Sequence, residues 1–579
     1  MIKIFYAILL SLIFSIGSVA AQKLKLTDSG SSITLSNPTI SFSFEKNTAS
    51  MVSIIKDGKE LLTGLSSKSR KENKTAYLMG PGFSMSPAQY TLIRNTPDII
   101  EIQFLHEASN GYFFEMHYAL MKDESGIYCF IEQYHHAGSP DGGFGQIRWG
   151  LRSSEELFDY HLVRDNIQGP MPKMADFVRE IQDWTYKLPD STIYSKYDYS
   201  DYVEGRNVYG MAGQKSGLGL FVIQPSHEYV NSGPTKQQNT VHATPFMIMM
   251  FNCDHFLLTE RKGDGPVRGE WKKMGGPFYL YVNSGKTIND IWTDAKKKAA
   301  VEMSRWPYSW MNHTDYPLQR GMLTGKLFIK NQSTAGAHVI LAKPGIDWQA
   351  QSLGYIFSTR TNTDGSFTLP NVRPGKYTLY AYTDNVTEEY VKNDIGLEAD
   401  KTTALNTLFW KPSDNGEKIF QIGTADRTTR GFKLSDHKRY YDVFKQVPEN
   451  LTFTVGKSNE SSDWYYAQTK TGTWKIVFNA TKTYSDSCTL TICLAGTARN
   501  PSLKISMNGT PITTQTFGND HSIYRSAILS GYYQQRNIRI PASLLKKGVN
   551  EISLTMGLKK NVIGGIMYDA IKLEGKPSK

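Results

Sequence analysis

Short runs of strand-forming residues, broken at close intervals by turn residues, dominate this chain of 579 residues. Val, Ile, Thr, Tyr and Phe alternate with polar residues in each run, and Gly, Asn, Asp or Pro ends it. The best helix signal lies at 287–303, where Thr287 can cap a run with apolar residues at helical spacing. This pattern predicts an all-β protein.

The length of the chain exceeds what a single hydrophobic core supports, so several domains are expected. Composition shifts near 306–320 and 410–415. We therefore predict a large β-sandwich at 22–310, a small β-sandwich at 318–409 and a jelly-roll-like sandwich at 410–579. A sandwich as large as the first can present a long open face to a polymer.

The N-terminus has the composition of a secretory signal peptide at 1–21. Lys3 supplies a positive charge, 4–16 is almost wholly apolar, and 18–21 contains small residues suited to cleavage. The apolar run is too short to span a membrane comfortably, and no later segment offers a span. We expect a secreted or periplasmic monomer that is not inserted in a membrane once the signal is cleaved.

Charge and cysteine content narrow the classes of partner. The formal net charge is +11, which favours a polyanion such as an acidic polysaccharide, although a generally basic surface is an open alternative. The charges are scattered, which argues against a nucleic-acid-binding arm. Four cysteines are too few for a disulfide scaffold, and Cys488 and Cys493 would face opposite sides of one strand, so we predict buried free thiols.

Two side chains could exchange protons with a sugar. Lys196 lies among Tyr197 and Tyr199 in SKYDYS (195–200), which is predicted to be extended, and His242 lies in VHATP (241–245), just before an apolar strand. Burial lowers the pKa of a lysine, and an imidazole titrates near neutral pH. A solvated surface lysine and a structural histidine are the open alternatives.

A pair of arginines could neutralise acidic sugars. Arg148 and Arg152 in IRWGLR (147–152) share one side of a strand, about 13 Å apart at ~3.3 Å per residue. Guanidinium groups match carboxylates in a bidentate manner, although two surface salt bridges are the equal alternative. A cation, a base and an acid would together suffice to cleave a uronic-acid polymer by β-elimination.

Metal and nucleotide motifs are missing from the sequence. His135 and His136 are adjacent and would point opposite ways in a strand, and His227 beside Glu228 has no obvious third ligand. The chain contains no HExxH, no CxxC, no calcium loop, no P-loop and no GxSxG elbow. We predict no catalytic metal.

Taken together, the motifs resemble those of the rhamnogalacturonan endolyases of polysaccharide lyase family 4, over essentially the whole mature chain. The resemblance rests on SKYDYS (195–200), PSHEY (225–229), GPTKQ (233–237), VHATP (241–245), GPFYLYVNSG (276–285), NVRPGKYTLYA (371–381), IGTADRT (422–428), DWYYA (463–467) and YDAIKL (568–573).

The resemblance implies a galactose mutarotase-like catalytic β-sandwich, a fibronectin-III-like domain and a jelly-roll carbohydrate-binding-like domain. It also implies cleavage of the α-1,4 bond between rhamnose and galacturonate in rhamnogalacturonan I, an acidic plant cell-wall polysaccharide. The reaction is a β-elimination that leaves a 4,5-unsaturated galacturonate and requires no cofactor. Whether the enzyme acts within the polymer or at its ends stays open.

The same resemblance assigns the site residues. Lys196 matches the catalytic lysine and His242 the catalytic histidine, with Lys196 as the base and His242 as the acid, although the roles could be exchanged. The residues assigned to substrate binding are Arg148, Arg152, Tyr197, Tyr199 and Tyr229. Aromatic residues of the third domain, such as Trp464, Tyr465, Tyr466, Tyr532 and Tyr533, could stack on sugars or pack in the core.

Two other functions fit the same fold. One is a non-catalytic pectin-glycan-binding protein, which the presence of both Lys196 and His242 disfavours. The other is a sugar mutarotase or epimerase, because large β-sandwiches also host that chemistry. The two appended domains argue against it, since an enzyme acting on a monosaccharide gains little from them.

Overall fold

A computed structural model describes residues 24–63, 75–80, 83–108, 111–141, 146–252, 255–256, 269–438 and 441–578. The predicted signal peptide and Cys253 lie outside the described residues. Strands account for most of the regular structure, so the predicted all-β class is confirmed.

Two antiparallel sheets form the first domain. The first sheet contains β1 (Lys25–Asp28), β2 (Ser32–Ser36), β3 (Ile40–Glu45), β4 (Ser50–Lys56), β5 (Lys59–Glu60), β6 (Ala76–Gly80), β7 (Phe83–Ser84), β12 (Ile147–Arg152), β22 (Val241–His242) and β23 (Phe246–Asn252). Its strand order is β1-β2-β3-β4-β6-β12-β23-β22, with β5 beside β4 and β7 beside β6.

The second sheet contains β8 (Gln89–Asn95), β9 (Ile99–Glu107), β10 (Tyr112–Met121), β11 (Gly126–His135), β13 (Tyr160–Arg164), β14 (Ile167–Pro170), β19 (Val208–Ala212), β20 (Leu218–Ile223) and β24 (Trp271–Ser284). Its strand order is β14-β13-β19-β20-β24-β11-β10-β9-β8. Small sheets at the edge contain β15 (Arg179–Glu180), β16 (Thr185–Lys187), β17 (Ile193–Ser195), β18 (Asp201–Tyr202) and β21 (Gln237–Gln238).

Alternation along the strands places apolar side chains between the two sheets. Phe44 from β3 meets Phe104 and Tyr118 from the opposite sheet, Phe42 is buried in the same core, and Trp149 packs on Phe278. Because side chains at every second position of a strand share a face, the inner faces of the two sheets together form one core.

Helix α1 (Ile288–Arg305) covers the outer face of the second sheet. Thr287 caps it, since the Thr287 hydroxyl accepts a hydrogen bond from the Asp290 amide and the Asp290 carboxylate accepts one from the Thr287 amide. Ile291, Trp292 and the neighbouring alanines pack on β19, β20 and β24. The predicted helix at 287–303 is therefore confirmed.

The second domain is a small sandwich with its own core. Its strands are β25 (Gly321–Ile329), β26 (His338–Ala342), β27 (Phe357–Arg360), β28 (Ser366–Val372), β29 (Gly375–Tyr382), β30 (Tyr390–Leu397) and β31 (Thr402–Trp410), in sheets β28-β25-β31 and β27-β26-β29-β30.

The third domain packs two more sheets. Its strands are β32 (Glu417–Gly423), β33 (Leu451–Thr454), β34 (Ala467–Gln468), β35 (Gly472–Ala480), β36 (Tyr484–Ala498), β37 (Ser502–Met507), β38 (Thr510–Thr516), β39 (Gln534–Pro541), β40 (Gly548–Gly557) and β41 (Gly565–Pro577), with the short helix α2 at Glu460–Asp463. Cys488 and Cys493 on β36 are buried free thiols, as predicted. The domain boundaries stay predictions.

A buried ion cluster joins the first domain to the second. The Glu228 carboxylate accepts hydrogen bonds from Arg320 Nη1 at 2.6 Å and from Arg373 Nε at 2.7 Å. Arg320 also packs on Trp306 and Arg373 on Tyr355. Burial alone would raise the pKa of the Glu228 carboxyl, but the two guanidinium groups outweigh burial and hold that pKa below its usual range.

A segment of the third domain, 520–533, packs against the first domain. The buried Asp520 carboxylate shapes the segment by accepting backbone hydrogen bonds from Ser522 and Tyr532. The Gln237 side-chain amide donates to the Ala527 and Ser530 carbonyls, both at 3.0 Å. The third domain therefore has a defined position relative to the first.

Within the described residues, no helix is both long and apolar enough to cross a membrane.

We predict that Glu228→Ala destabilises the joint between the first two domains by about 3–5 kcal/mol, because it leaves two guanidinium groups buried without their carboxylate. Scanning calorimetry should show a lower unfolding temperature. Glu204→Ala is the matched control, since it removes the partly exposed Glu204–Arg360 pair between the same domains and should cost less than about 1 kcal/mol. Equal losses in the two variants would contradict the prediction.

Candidate active site

Lys196 begins a short 3-10 helix, Lys196–Tyr199, where the sequence predicted an extended segment. The Ser195 hydroxyl accepts a hydrogen bond from the Tyr197 amide, and this cap turns the chain after β17. The difference arises because a serine can replace sheet pairing with a local bond. The predicted extended conformation is therefore wrong for Lys196–Tyr199.

The Lys196 ammonium is held by Asp183. Lys196 Nζ lies 2.8 Å from Asp183 Oδ1, and the Tyr197 hydroxyl donates to Asp183 Oδ2 at 2.7 Å. The Lys196 side chain is only 8% exposed. Burial lowers the pKa of Lys196 from its ordinary value, Asp183 opposes that effect, and Arg525 and Arg148 add to it.

His242 lies at the end of β22, where it pairs with Phe246 of β23. Its Nδ1–H donates to the Ala243 carbonyl at 2.8 Å, so Nε2 is the nitrogen left to exchange a proton. Burial lowers the pKa of His242 well below its ordinary value, and the nearby charges of Lys196 and Arg152 lower it further. The 3-10 helix that carries Lys196 packs beside β22.

Arg148 and Arg152 lie on β12, which is separated from β22 by β23 in the same sheet. Arg152 packs on the rings of Trp184 and Phe246, and Arg148 Nε is buried without a hydrogen-bond partner. Neither guanidinium has a carboxylate partner within 4 Å among the residues that the structure describes. The alternative of two surface salt bridges is therefore not what the structure shows.

Arg525 from the third domain reaches the same cluster, and no motif around Arg525 predicts this contact. Arg525 Nη1 lies 3.0 Å from His255 Nε2, and His255 Nε2 lies 3.3 Å from the Tyr197 hydroxyl. The backbone of 520–533 holds this position, since the His521 amide donates to the Phe256 carbonyl at 2.8 Å. The site is therefore built from two domains.

The three predicted substrate-binding tyrosines occupy different environments. Tyr197 is fully buried behind Asp183, and Tyr199 stacks on His161 with ring centroids 3.6 Å apart. Tyr229 is buried in the core, where its hydroxyl bonds with Gln224 and contacts Met249. In this structure Tyr229 does not reach the cluster around Lys196, because its ring fills the space between the sheets.

The aromatic residues of the third domain also occupy different environments, some in the core of that domain and some where it meets the other domains. Trp464 and Tyr466 are buried in the core of that domain, as the packing alternative held. Tyr533 lines a cavity of about 410 Å³ between the three domains, where Arg427 packs on its ring. The Tyr532 hydroxyl donates to Asp347 of the second domain.

Among the described residues, one group of histidine and carboxylate ligands is compact enough to suit a metal ion. It consists of Glu132, His313 and Asp315, and it is separate from the cluster around Lys196. Lys272 Nζ lies 2.9 Å from Glu132 and 2.7 Å from Asp315, so one ammonium group already forms an ion pair with each of these carboxylates.

Two family models match the chain. Residues 331–405 match the model described as polysaccharide lyase family 4, domain II, and residues 418–573 match the model of domain III of the same family. The two models cover the second sandwich and most of the third domain.

Curated relatives align over nearly the whole chain. A rhamnogalacturonate lyase of Dickeya dadantii is 32% identical over 98% of this chain and 98% of its own length. A probable rhamnogalacturonate lyase B of Aspergillus flavus is 23% identical over 96% of this chain and 98% of its own. Among solved structures, a galactose 1-epimerase from Lactobacillus acidophilus aligns over 45% of this chain and 99% of its own length at 11% identity, with a TM-score of 0.26. The Dickeya alignment and both family models agree, and the chain belongs to polysaccharide lyase family 4.

Proposed function

We propose that this lyase cleaves rhamnogalacturonan I at the bond between rhamnose and galacturonate by β-elimination. The observation that carries the proposal is the convergence of Lys196 and His242 beside Arg148 and Arg152, two arginines without carboxylate partners among the described residues. The named activity of the relatives supports the substrate class. We further propose that the enzyme acts outside the cytoplasm, where that polymer occurs.

The reaction needs a base, an acid and a counter-charge for the sugar carboxylate. The base removes the proton from C5 of galacturonate, and the electron pair forms the C4–C5 double bond. The C4–O4 bond breaks as this double bond forms, and O4 leaves with the rhamnose residue and takes up a proton. The products are a 4,5-unsaturated galacturonate and a chain that ends in a rhamnose hydroxyl.

Lys196 is the proposed base and His242 the proposed acid. Burial and the two nearby guanidinium groups favour the uncharged amine of Lys196, which is the form that accepts a proton. His242 keeps Nδ1–H on the Ala243 carbonyl, so it receives and delivers a proton at Nε2. Because the pKa of His242 is low, its imidazolium is a strong acid once Nε2 has taken up a proton.

The arginines are proposed to bind the carboxylate at the reacting sugar and along the chain. Negative charge develops on that carboxylate as the C5 proton leaves, and fixed cations in a partly buried site stabilise it strongly. Arg148 and Arg152 suit this role because neither has a protein carboxylate within 4 Å among the described residues. In this scheme no metal ion is required.

Lys196→Ala and His242→Ala should each lower kcat by about 10²–10⁴-fold, since each removes one proton-transfer group. The measurement is the ultraviolet absorbance of the unsaturated product released from rhamnogalacturonan I. Lys215→Ala and His136→Ala, at exposed positions, are the controls and should keep full activity. Near-normal turnover by either variant would remove that residue from the mechanism, and wild-type binding without product would favour a glycan-binding protein.

Arg148→Ala and Arg152→Ala should each raise KM, because a guanidinium–carboxylate contact is lost. Raising the salt concentration should increase the KM of the wild type more than that of either variant. Arg179→Ala, at an exposed position nearby, is the matched control. An unchanged salt response in both site variants would argue against a carboxylate contact.

Chelation should leave turnover unchanged, because side chains supply every charge in the proposed scheme. The measurement is the initial rate before and after dialysis against EDTA, with calcium added back as the control. A loss that calcium restores would overturn this part of the proposal.

A further inference from the structure

The turn between β15 and β16 places two adjacent residues in an unusual conformation. Asp183 has φ 46° and Trp184 has φ 62°, which is the left-handed region that residues other than glycine seldom adopt. The turn is held by hydrogen bonds from the Thr185 amide to the Gln182 carbonyl and from the Trp184 amide to the Glu180 carboxylate. Conformations of this kind persist only where the surroundings enforce them, and they concentrate at functional sites.

The two residues of this turn contact both halves of the candidate site. The Asp183 carboxylate lies 2.8 Å from Lys196 Nζ and 2.7 Å from the Tyr197 hydroxyl. The Trp184 ring packs on His242, with centroids 4.9 Å apart, and the Trp184 carbonyl accepts a hydrogen bond from the Lys196 amide at 3.1 Å. One turn therefore links the two proposed catalytic residues.

We propose that Asp183 is a positioning residue, which holds the Lys196 amine in place and sets the pH at which Lys196 changes its charge. The inference rests on the proposed function, because it assigns Asp183 a task in the reaction that Lys196 performs. Asp183 itself is not expected to touch the substrate. The strained backbone of Asp183 and Trp184 is what brings the carboxylate to Lys196.

The charges that face Lys196 come from several elements. Asp183 and Tyr197 contact it directly or through the shared carboxylate, while Arg148 on β12 and Arg525 of the third domain act on it as like charges. The charge of Lys196 also lowers the pKa of His242 and that of His255. Among these groups, only Asp183 carries a carboxylate.

The sign of the effect follows from this arrangement. The Asp183 carboxylate stabilises the charged ammonium, so its removal should lower the pKa of Lys196 still further. A limb of the pH–rate profile that depends on Lys196 should then move to lower pH, whether Lys196 acts as base or as acid. An opposite charge at this distance shifts a pKa by about 1–3 units.

The test compares Asp183→Asn with Asp190→Asn, which removes the same charge at an exposed position of the next turn. The pH dependence of kcat is measured on rhamnogalacturonan I from the release of unsaturated product. For Asp183→Asn we expect the Lys196-dependent limb to move by about 1–3 units toward lower pH. In the same variant kcat at the wild-type optimum should fall at least tenfold with little change in KM. Asp190→Asn should match the wild type.

Asp183→Glu provides the second variant, in case the amide disturbs the turn. It keeps the charge but displaces it, so the limb should stay near its wild-type pH while kcat falls. An unmoved limb in a folded Asp183→Asn variant, or an equal shift in Asp190→Asn, would overturn the inference. An inactive wild type, or an active Lys196→Ala variant, would instead defeat the proposed function itself.

Discussion

The arrangement of the three domains depends on one buried carboxylate, that of Glu228, between two guanidinium groups. Glu228 belongs to the first domain, while Arg320 and Arg373 belong to the start and the interior of the second. The second domain in turn binds the third, through Gln349 with Tyr533 and Glu389 with Arg427. The Glu228 cluster therefore supports the position of segment 520–533 through the second domain, while Gln237 and Phe256 of the first domain hold that segment directly.

The candidate site places several positive charges close together, and their mutual repulsion opposes folding. Lys196, Arg148, Arg152 and Arg525 lie near one another, and Asp183 is the carboxylate that Lys196 contacts. Such a cluster costs stability, which the large core of the sandwich and the contacts with the third domain offset. In return Arg148 and Arg152, which have no carboxylate within 4 Å among the described residues, can bind an acidic group without first releasing a protein carboxylate.

Local patterns in the sequence predicted the fold well. Thr287 and the apolar spacing after it gave the helix, and alternation gave the strands, because both signals depend on neighbours within a few residues. Lys196 and His242 were proposed as site residues from their surroundings and from the resemblance to a family. Asp183 and Arg525 were not, because their contacts with this cluster arise only when a turn and a distant domain meet near Lys196. Tyr229 and Glu228 lay in a motif read for function, yet their side chains serve the core and the domain joint.

Segment 520–533 has a consequence for how proteins of this architecture can diversify. A terminal domain that only tethered the enzyme to its substrate could be exchanged without affecting the chemistry. Here the Gln237 side-chain amide and the Phe256 carbonyl hold a loop of the third domain against the candidate site. A foreign domain grafted in its place would leave that position empty, so we expect changes in the first and third domains to be coupled.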